Sequence, residues 1–268
     1  MSSRLLVMVC ATAMLHQTAG KADLSTGSSA PSYTAASVVN AASQTAGTLA
    51  PNTIATIYGT NLAFTTHAVT AADMKNGALP TSLDGVSVYV YNTLCTLFYV
   101  SPGQINFIVP YELTGSNVPL VVARQGVAGP IVTIPLAPTD PAFFQWNGNL
   151  AIAIHGADGS LITPSAPAHS SETIVLFAAG LGRTSPDVAS GRPASTATWI
   201  LQKPPQLQLL LNGKACDPSS ILYAGVTPGL AGLYQINLRL PDSLPPNPEI
   251  RMAIGSQASP ASIILPLQ

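Results

Sequence analysis

Charge is what this chain has least of: Asp, Glu, Lys and Arg together make up 8% of its 268 residues, and the formal net charge is −1. A typical soluble domain carries about 25%. Ten scattered cations form no basic stripe able to displace counterions from phosphates, so nucleic acid is not an expected partner. Long apolar runs are also missing. The longest, LLVMVCATAML at 5–15, falls well short of the ~20 residues a membrane helix needs. No later segment supplies an anchor, so no stable membrane insertion is expected once a leader is removed. Metal-binding spacings such as C-x-x-C, H-x-x-x-H or D-x-D-x-D-G do not occur. The nearest approach to a hydrolase elbow, GVSVY at 85–89, lacks its last glycine and lies mid-strand. Glu112, Glu172 and Glu249 follow no pattern that pairs two of them for glycoside hydrolysis. The expectation is a protein without metal, cofactor or catalytic residues, and therefore not an enzyme.

What the chain does have is punctuation. Twenty-four prolines and 21 glycines interrupt short alternating runs in a sequence that is 47% hydrophobic, the pattern of an all-β sandwich. GVSVYVY (85–91) is the clearest strand, with Val86, Val88 and Val90 on one face and Ser87, Tyr89 and Tyr91 on the other. Gln125–Gly129 and Ala157-Asp158-Gly159 read as hairpin turns. The pattern also repeats. QINFIVP at 104–110 returns as QINLRLP at 235–241, an offset of 131, whereas Gly59 and Cys95 return as Gly180 and Cys216 at an offset of 121. A ten-residue insertion between the cysteine and QIN in the second copy reconciles the two offsets. A repeat this long exceeds a solenoid unit and makes each copy a small domain.

Arg4, the apolar stretch behind it and small residues near Ala19–Ala22 read as an export signal. The expected organisation is a signal peptide at 1–22, a flexible lead-in at 23–36, a first sandwich at 37–138 and a second at 139–268, with a junction at 139–149. The expected location is extracellular, at the cell surface or periplasmic.

The order G-T-N-L (59–62), a strand carrying a cysteine, then SPGQINFIVP (101–110) resembles the IPT/TIG domain, an immunoglobulin-like sandwich. APNTIATIYGTNLA (50–63), LPTSLDGVSVYV (79–90), LFYVSPGQINFIVPYEL (97–113), IVLFAAGLG (174–182) and YAGVTPGLAGLYQINLRLP (223–241) resemble a paired domain that closes many secreted proteins of soil bacteria. The resemblance implies two tandem immunoglobulin-like sandwiches and an exported protein, and implies no activity. In receptor-type members the cysteine matching Cys95 can pair with one in the strand matching Gln104–Pro110. That strand here has Phe107, and its counterpart Leu238, so the intradomain bridge is absent. Cys95 and Cys216 then have two readings. They bridge the copies, closing a loop of about 120 residues for roughly 4–5 kcal/mol on the loop-entropy model, or they are equivalent buried thiols.

Few residues invite a ligand. Phe143, Phe144 and Trp146 in PAFFQW (141–146), together with Trp199, are the aromatics able to stack on a sugar; the alternative is that the 141–146 set fills the groove between the domains. Asn106 and Asn237 are expected to point outward or, in preference, to cap adjacent turns, Gly59, Gly103, Gly180 and Gly229 to sit at positive φ, and His67 to be a solvated histidine in a polar loop at 64–82. Arg183 and Asp187 read as a surface ion pair. Two functions fit: a non-catalytic secreted or cell-surface binding and adhesion module for a polysaccharide, envelope component or protein partner, or a structural spacer or assembly module working through sandwich edges.

Overall fold

The computed structural model describes residues 29–195, 197–200 and 206–268. The predicted signal peptide and the first part of the lead-in lie outside the described residues.

The first half holds ten strands: β1 (Val38–Asn40), β2 (Ile54–Tyr58), β3 (His67–Ala68), β4 (Val86–Val90), β5 (Thr93–Leu94), β6 (Thr96–Val100), β7 (Gln104–Ile108), β8 (Asn117–Arg124), β9 (Val127–Ala128) and β10 (Val132–Pro135). They form two sheets, ordered β1-β2-β7-β6-β3 and β10-β8-β4-β5. The period-two pattern of GVSVYVY sends Val86, Val88 and Val90 into the core between the sheets, where they join Ile57, Leu97, Ile105, Phe107 and Leu120. The predicted hairpin at Gln125 is a two-residue turn with Gln125 and Gly126 both at positive φ, joining β8 to β9.

The second half repeats the plan. Its strands are β11 (Ala142–Phe143), β12 (Gln145–Trp146), β13 (Leu150–Ala151), β14 (Ala153–His155), β15 (Thr173–Ala179), β16 (Thr184–Ser185), β17 (Thr198–Ile200), β18 (Leu207–Leu211), β19 (Lys214–Ala215), β20 (Ile221–Val226), β21 (Tyr234–Arg239), β22 (Ile250–Ile254) and β23 (Gln257–Ala258). One sheet runs β11-β15-β21-β20-β17-β16 with β14 also on β15, and the facing sheet runs β19-β18-β22-β23. The chain is therefore two tandem immunoglobulin-like sandwiches. Among the described residues no helix is long and apolar enough to cross a membrane.

Two differences separate the copies. The extra residues between cysteine and QIN divide between the 3-10 turn Pro218–Ser220 and the loop 227–233. Pairing has also slid by two residues: Thr56 faces Asn106, but Phe177, the counterpart of Thr56, faces Gln235. A slide of two preserves which face each side chain takes, so the core survives it.

Several expectations are corrected. The lead-in is held from Ser29 onward: Ser29 and Asn61 carbonyls accept from the Arg124 guanidinium, Ser32 exchanges backbone bonds with Thr60, and Tyr33 is buried. Tyr33 donates its hydroxyl proton to the Pro130 carbonyl and accepts from the Val122 amide, so a polar ring edge enters the core fully bonded. Gly180 and Gly229 do sit at positive φ; Gly59 and Gly103 do not. Gly59 is needed for space, since a Cβ there would lie 2.3 Å from the Ser32 carbonyl oxygen.

Candidate functional site

The two sandwiches meet through a third apolar cluster drawn from both. Ile54 and Ile108, at one end of the outer face of β2 and β7, pack with Phe144, Phe177, Ala179 and Leu233 of the second half. The inserted loop makes this contact possible. Gly232 lies so close to the first half that a Cβ would fall 2.9 Å from Ile108 and 3.1 Å from Ile54. Polar bonds fix the join: the Asn40 amide donates to the Asp140 carbonyl and carboxylate, both at 2.9 Å, and the Leu79 amide donates to the Gly191 carbonyl at 2.9 Å. Burial raises the Asp140 carboxyl above its ordinary pKa, and the Asn40 bond opposes that rise.

This packing decides the fate of the predicted aromatics. Phe144 is buried in the cluster between the halves and Phe143 in the core of the second sandwich, so neither faces a ligand. Trp146 is half-buried against the junction cluster, its indole N–H enclosed without a hydrogen-bond partner among the described residues. Trp199 is different. It is half-buried on β17 and points to the outer face, because its neighbour Ile200 enters the core.

Strand pairing puts other residues beside it. One row across the outer face reads Phe177, Gln235, Gly225, Trp199; the next reads Val175, Asn237, Tyr223. Gln235 Nε2 donates to Asn237 Oδ1 at 3.0 Å. Tyr223 lies over Gly225, where a Cβ would meet its hydroxyl at 2.6 Å, and meets the Trp199 ring edge to face at 5.1 Å. Its hydroxyl donates to the Val226 carbonyl at 2.7 Å. Half-buried Ile154 and Val175 continue the face, on which Arg239 at the far end is the first charge among the described residues. The first half keeps the same amide pair, with Gln104 donating to Asn106 at 2.8 Å, but there both are buried and Asn106 also accepts from Thr56. QIN is thus a side-chain ladder along one strand in each copy and not the expected turn cap. Its exposure in the second copy was not legible from the sequence, since the two motifs are identical.

Cys95 and Cys216 are not bonded to each other. Cys95 is buried in the first core and Cys216 packs against the second; burial raises both thiols above their ordinary pKa, Cys95 far more. Each fills the same place in its own sandwich, which is why they do not meet. A reductant should accordingly leave the urea midpoint of the folded protein unchanged, and a fall would show a bridge.

Two polar groupings lie away from this face. An open cleft of about 600 Å³ is lined by His155, Asp158, Ser160, His169, Glu172 and Thr173. His155 Nδ1 lies 3.1 Å and 3.2 Å from the two Glu172 oxygens, and the Ser160 hydroxyl donates to the Asp158 carboxylate. Bonds from the Ser160 amide and hydroxyl hold the Asp158 carboxyl below its usual range. In the first half His67 ends up between two carboxylates, not free in solvent. Among the described residues no group of three or more His, Cys, Asp or Glu is arranged to hold a metal. Arg183 and Asp187 form the exposed ion pair expected of them.

The sandwich order, the buried cysteine and the QIN strand agree with a match to one family model, spanning residues 37–137. That segment matches the IPT/TIG domain. The second sandwich repeats the central strands of the first, with β15, β21 and β20 standing as β2, β7 and β6 do. Against curated protein sequences the chain has no match. Solved structures similar to it include SGBP-B of a mixed-linkage glucan utilization locus from Bacteroides ovatus, at 10% identity and TM-score 0.32, covering 82% of this chain and 42% of that one. Another is the surface glycan-binding protein PbSGBP-B from Prevotella bryantii, at 9% identity and TM-score 0.27, covering 87% and 41%. A third is SGBP-B from a xyloglucan utilization locus in Bacteroides uniformis, at 13% identity and TM-score 0.27, covering 89% and 50%. The chain spans half or less of the length of each.

Proposed function

We propose that this protein is a non-catalytic binding module of the cell surface or extracellular space that takes an uncharged polysaccharide on the outer face of its second sandwich. The observation that carries the reading is the grouping of Trp199, Gln235 and Asn237 on one nearly charge-free face. An indole ring offers a flat apolar surface to the C–H face of a pyranose. Side-chain amides offer a donor and an acceptor at a spacing suited to neighbouring hydroxyls. Gln235 and Asn237 already bond each other, so they are held in one orientation before a ligand arrives, which lowers the ordering cost of binding. Tyr223 keeps Trp199 in place from below.

The test is a depletion assay of the protein on microcrystalline cellulose, chitin and starch granules. Trp199→Ala is expected to weaken binding to the matrix that retains the wild type by roughly 30-fold, the effect of losing a ~2 kcal/mol anchor. Asn237→Ala should cost about threefold to tenfold, as one hydrogen bond does. Wild-type protein retained by none of these matrices would sink the polysaccharide reading.

A further inference from the structure

Among the described residues His67 is the one imidazole whose two ring nitrogens both face carboxylates. Nδ1 lies 2.9 Å from Asp84 and Nε2 3.1 Å from Asp73. A neutral imidazole carries one N–H and can serve only one of these oxygens; the imidazolium serves both. The carboxylates are themselves fixed: Asp73 Oδ2 accepts from the Thr70 amide and hydroxyl, and Asp84 Oδ2 from the Thr65 hydroxyl. Strand β6, against which β3 lies, presents Val100 opposite His67, so Asp73 and Asp84 are the charged groups that face the ring.

The bridge from His67 to Asp84 closes residues 67–84 into a flap. Two of its residues reach the junction between the sandwiches. Val69 and Leu79 pack against the cluster that contains Phe144 and Phe177, with the Val69 amide donating to Phe98 at 2.8 Å and the Leu79 amide to Gly191 of the second half at 2.9 Å. We propose that residues 67–84 are a pH-gated flap, docked on the second sandwich while His67 is doubly protonated and loosened when it loses a proton.

The direction agrees with the titration of the three groups. Hydrogen bonds from Asp84 and then Asp73 raise His67 above its ordinary 6.5. Bonds from Thr70 hold Asp73 below its ordinary 3.8, and bonds from Thr65 and His67 do the same for Asp84. A raised imidazole stabilises the docked flap fully below 6.5 and ceases to do so as pH climbs through its folded value. The lowered carboxylates stabilise it above 3.8 and cease to as pH falls through theirs. Docking is therefore strongest between 3.8 and 6.5, and weakens as pH rises through the raised value of His67 or falls through the lowered values of the carboxylates.

Amide hydrogen exchange followed by NMR on the full chain tests this, with rates corrected for their intrinsic pH dependence. Between pH 6 and pH 9 the protection of the Val69 and Leu79 amides should fall severalfold, with strands β2 and β7 unchanged, and the His67 ring should titrate above 6.5. Asp84→Asn should lower that midpoint and flatten the pH step; Asp73→Asn serves the same purpose if Asp84→Asn does not fold. A His67 midpoint at or below 6.5, or equal corrected protection at both pH values, would overturn the flap.

Discussion

Phe144→Ala is expected to remove about 3–5 kcal/mol of folding stability, the range for deleting a buried aromatic ring. Its ring is 1% exposed and packs with residues of both sandwiches, so the cavity would open at the join and not inside either core. The consequence should be visible in the shape of urea unfolding as well as its midpoint. With the join intact, the two halves share buried surface and unfold together; with it weakened, circular dichroism and tryptophan fluorescence should report separate transitions, since Trp146 and Trp199 both belong to the second half. Phe143→Ala makes the comparison, because that ring lies within the second core alone. A Phe144→Ala protein that keeps the wild-type midpoint would show that the halves pack more loosely than the structure describes.

Gly180→Ala should be nearly as damaging, at about 2–5 kcal/mol, for two additive reasons. The residue has φ of +75°, a conformation that costs an L side chain about 1–2 kcal/mol, and a Cβ would lie 1.8 Å from the Asp140 carbonyl oxygen, which cannot move without breaking the bond to Asn40. The matching Gly59→Ala carries only the second penalty, against Ser32, and should cost about 1–3 kcal/mol. Equal thermal midpoints for Gly180→Ala and wild type would refute this account of the repeated glycine.

Much of the fold was legible because it rests on local alternation and turn chemistry. GVSVYVY, the turn at Gln125–Gly126 and the spacing of the two QIN motifs each specify strand, hairpin and repeat without long-range information. The site was legible only in part. Trp199 was a candidate from its residue type, but Gln235 and Asn237 read as fold markers, because exposure depends on what the other half covers. PAFFQW left two readings for the same reason, and the groove-filling one describes Phe144 and Trp146: Phe143 and Phe144 take opposite sides, and both are buried, one by the sandwich core and one by the neighbouring sandwich. His67 read as solvated, since neither Asp73 nor Asp84 stands near it at a recognisable spacing.

The join between the sandwiches is one-sided. A loop present only in the second copy rests on Ile54 and Ile108 of the first. In the second copy the residues matching that seat are Val175 and Arg239, and a guanidinium stands where the first copy offers an isoleucine. A third copy docking in the same manner would bury that cation without a partner, which costs more than the apolar contact returns. The contact therefore joins one sandwich to the next without presenting the same seat again, so it does not propagate from the second sandwich to a further one.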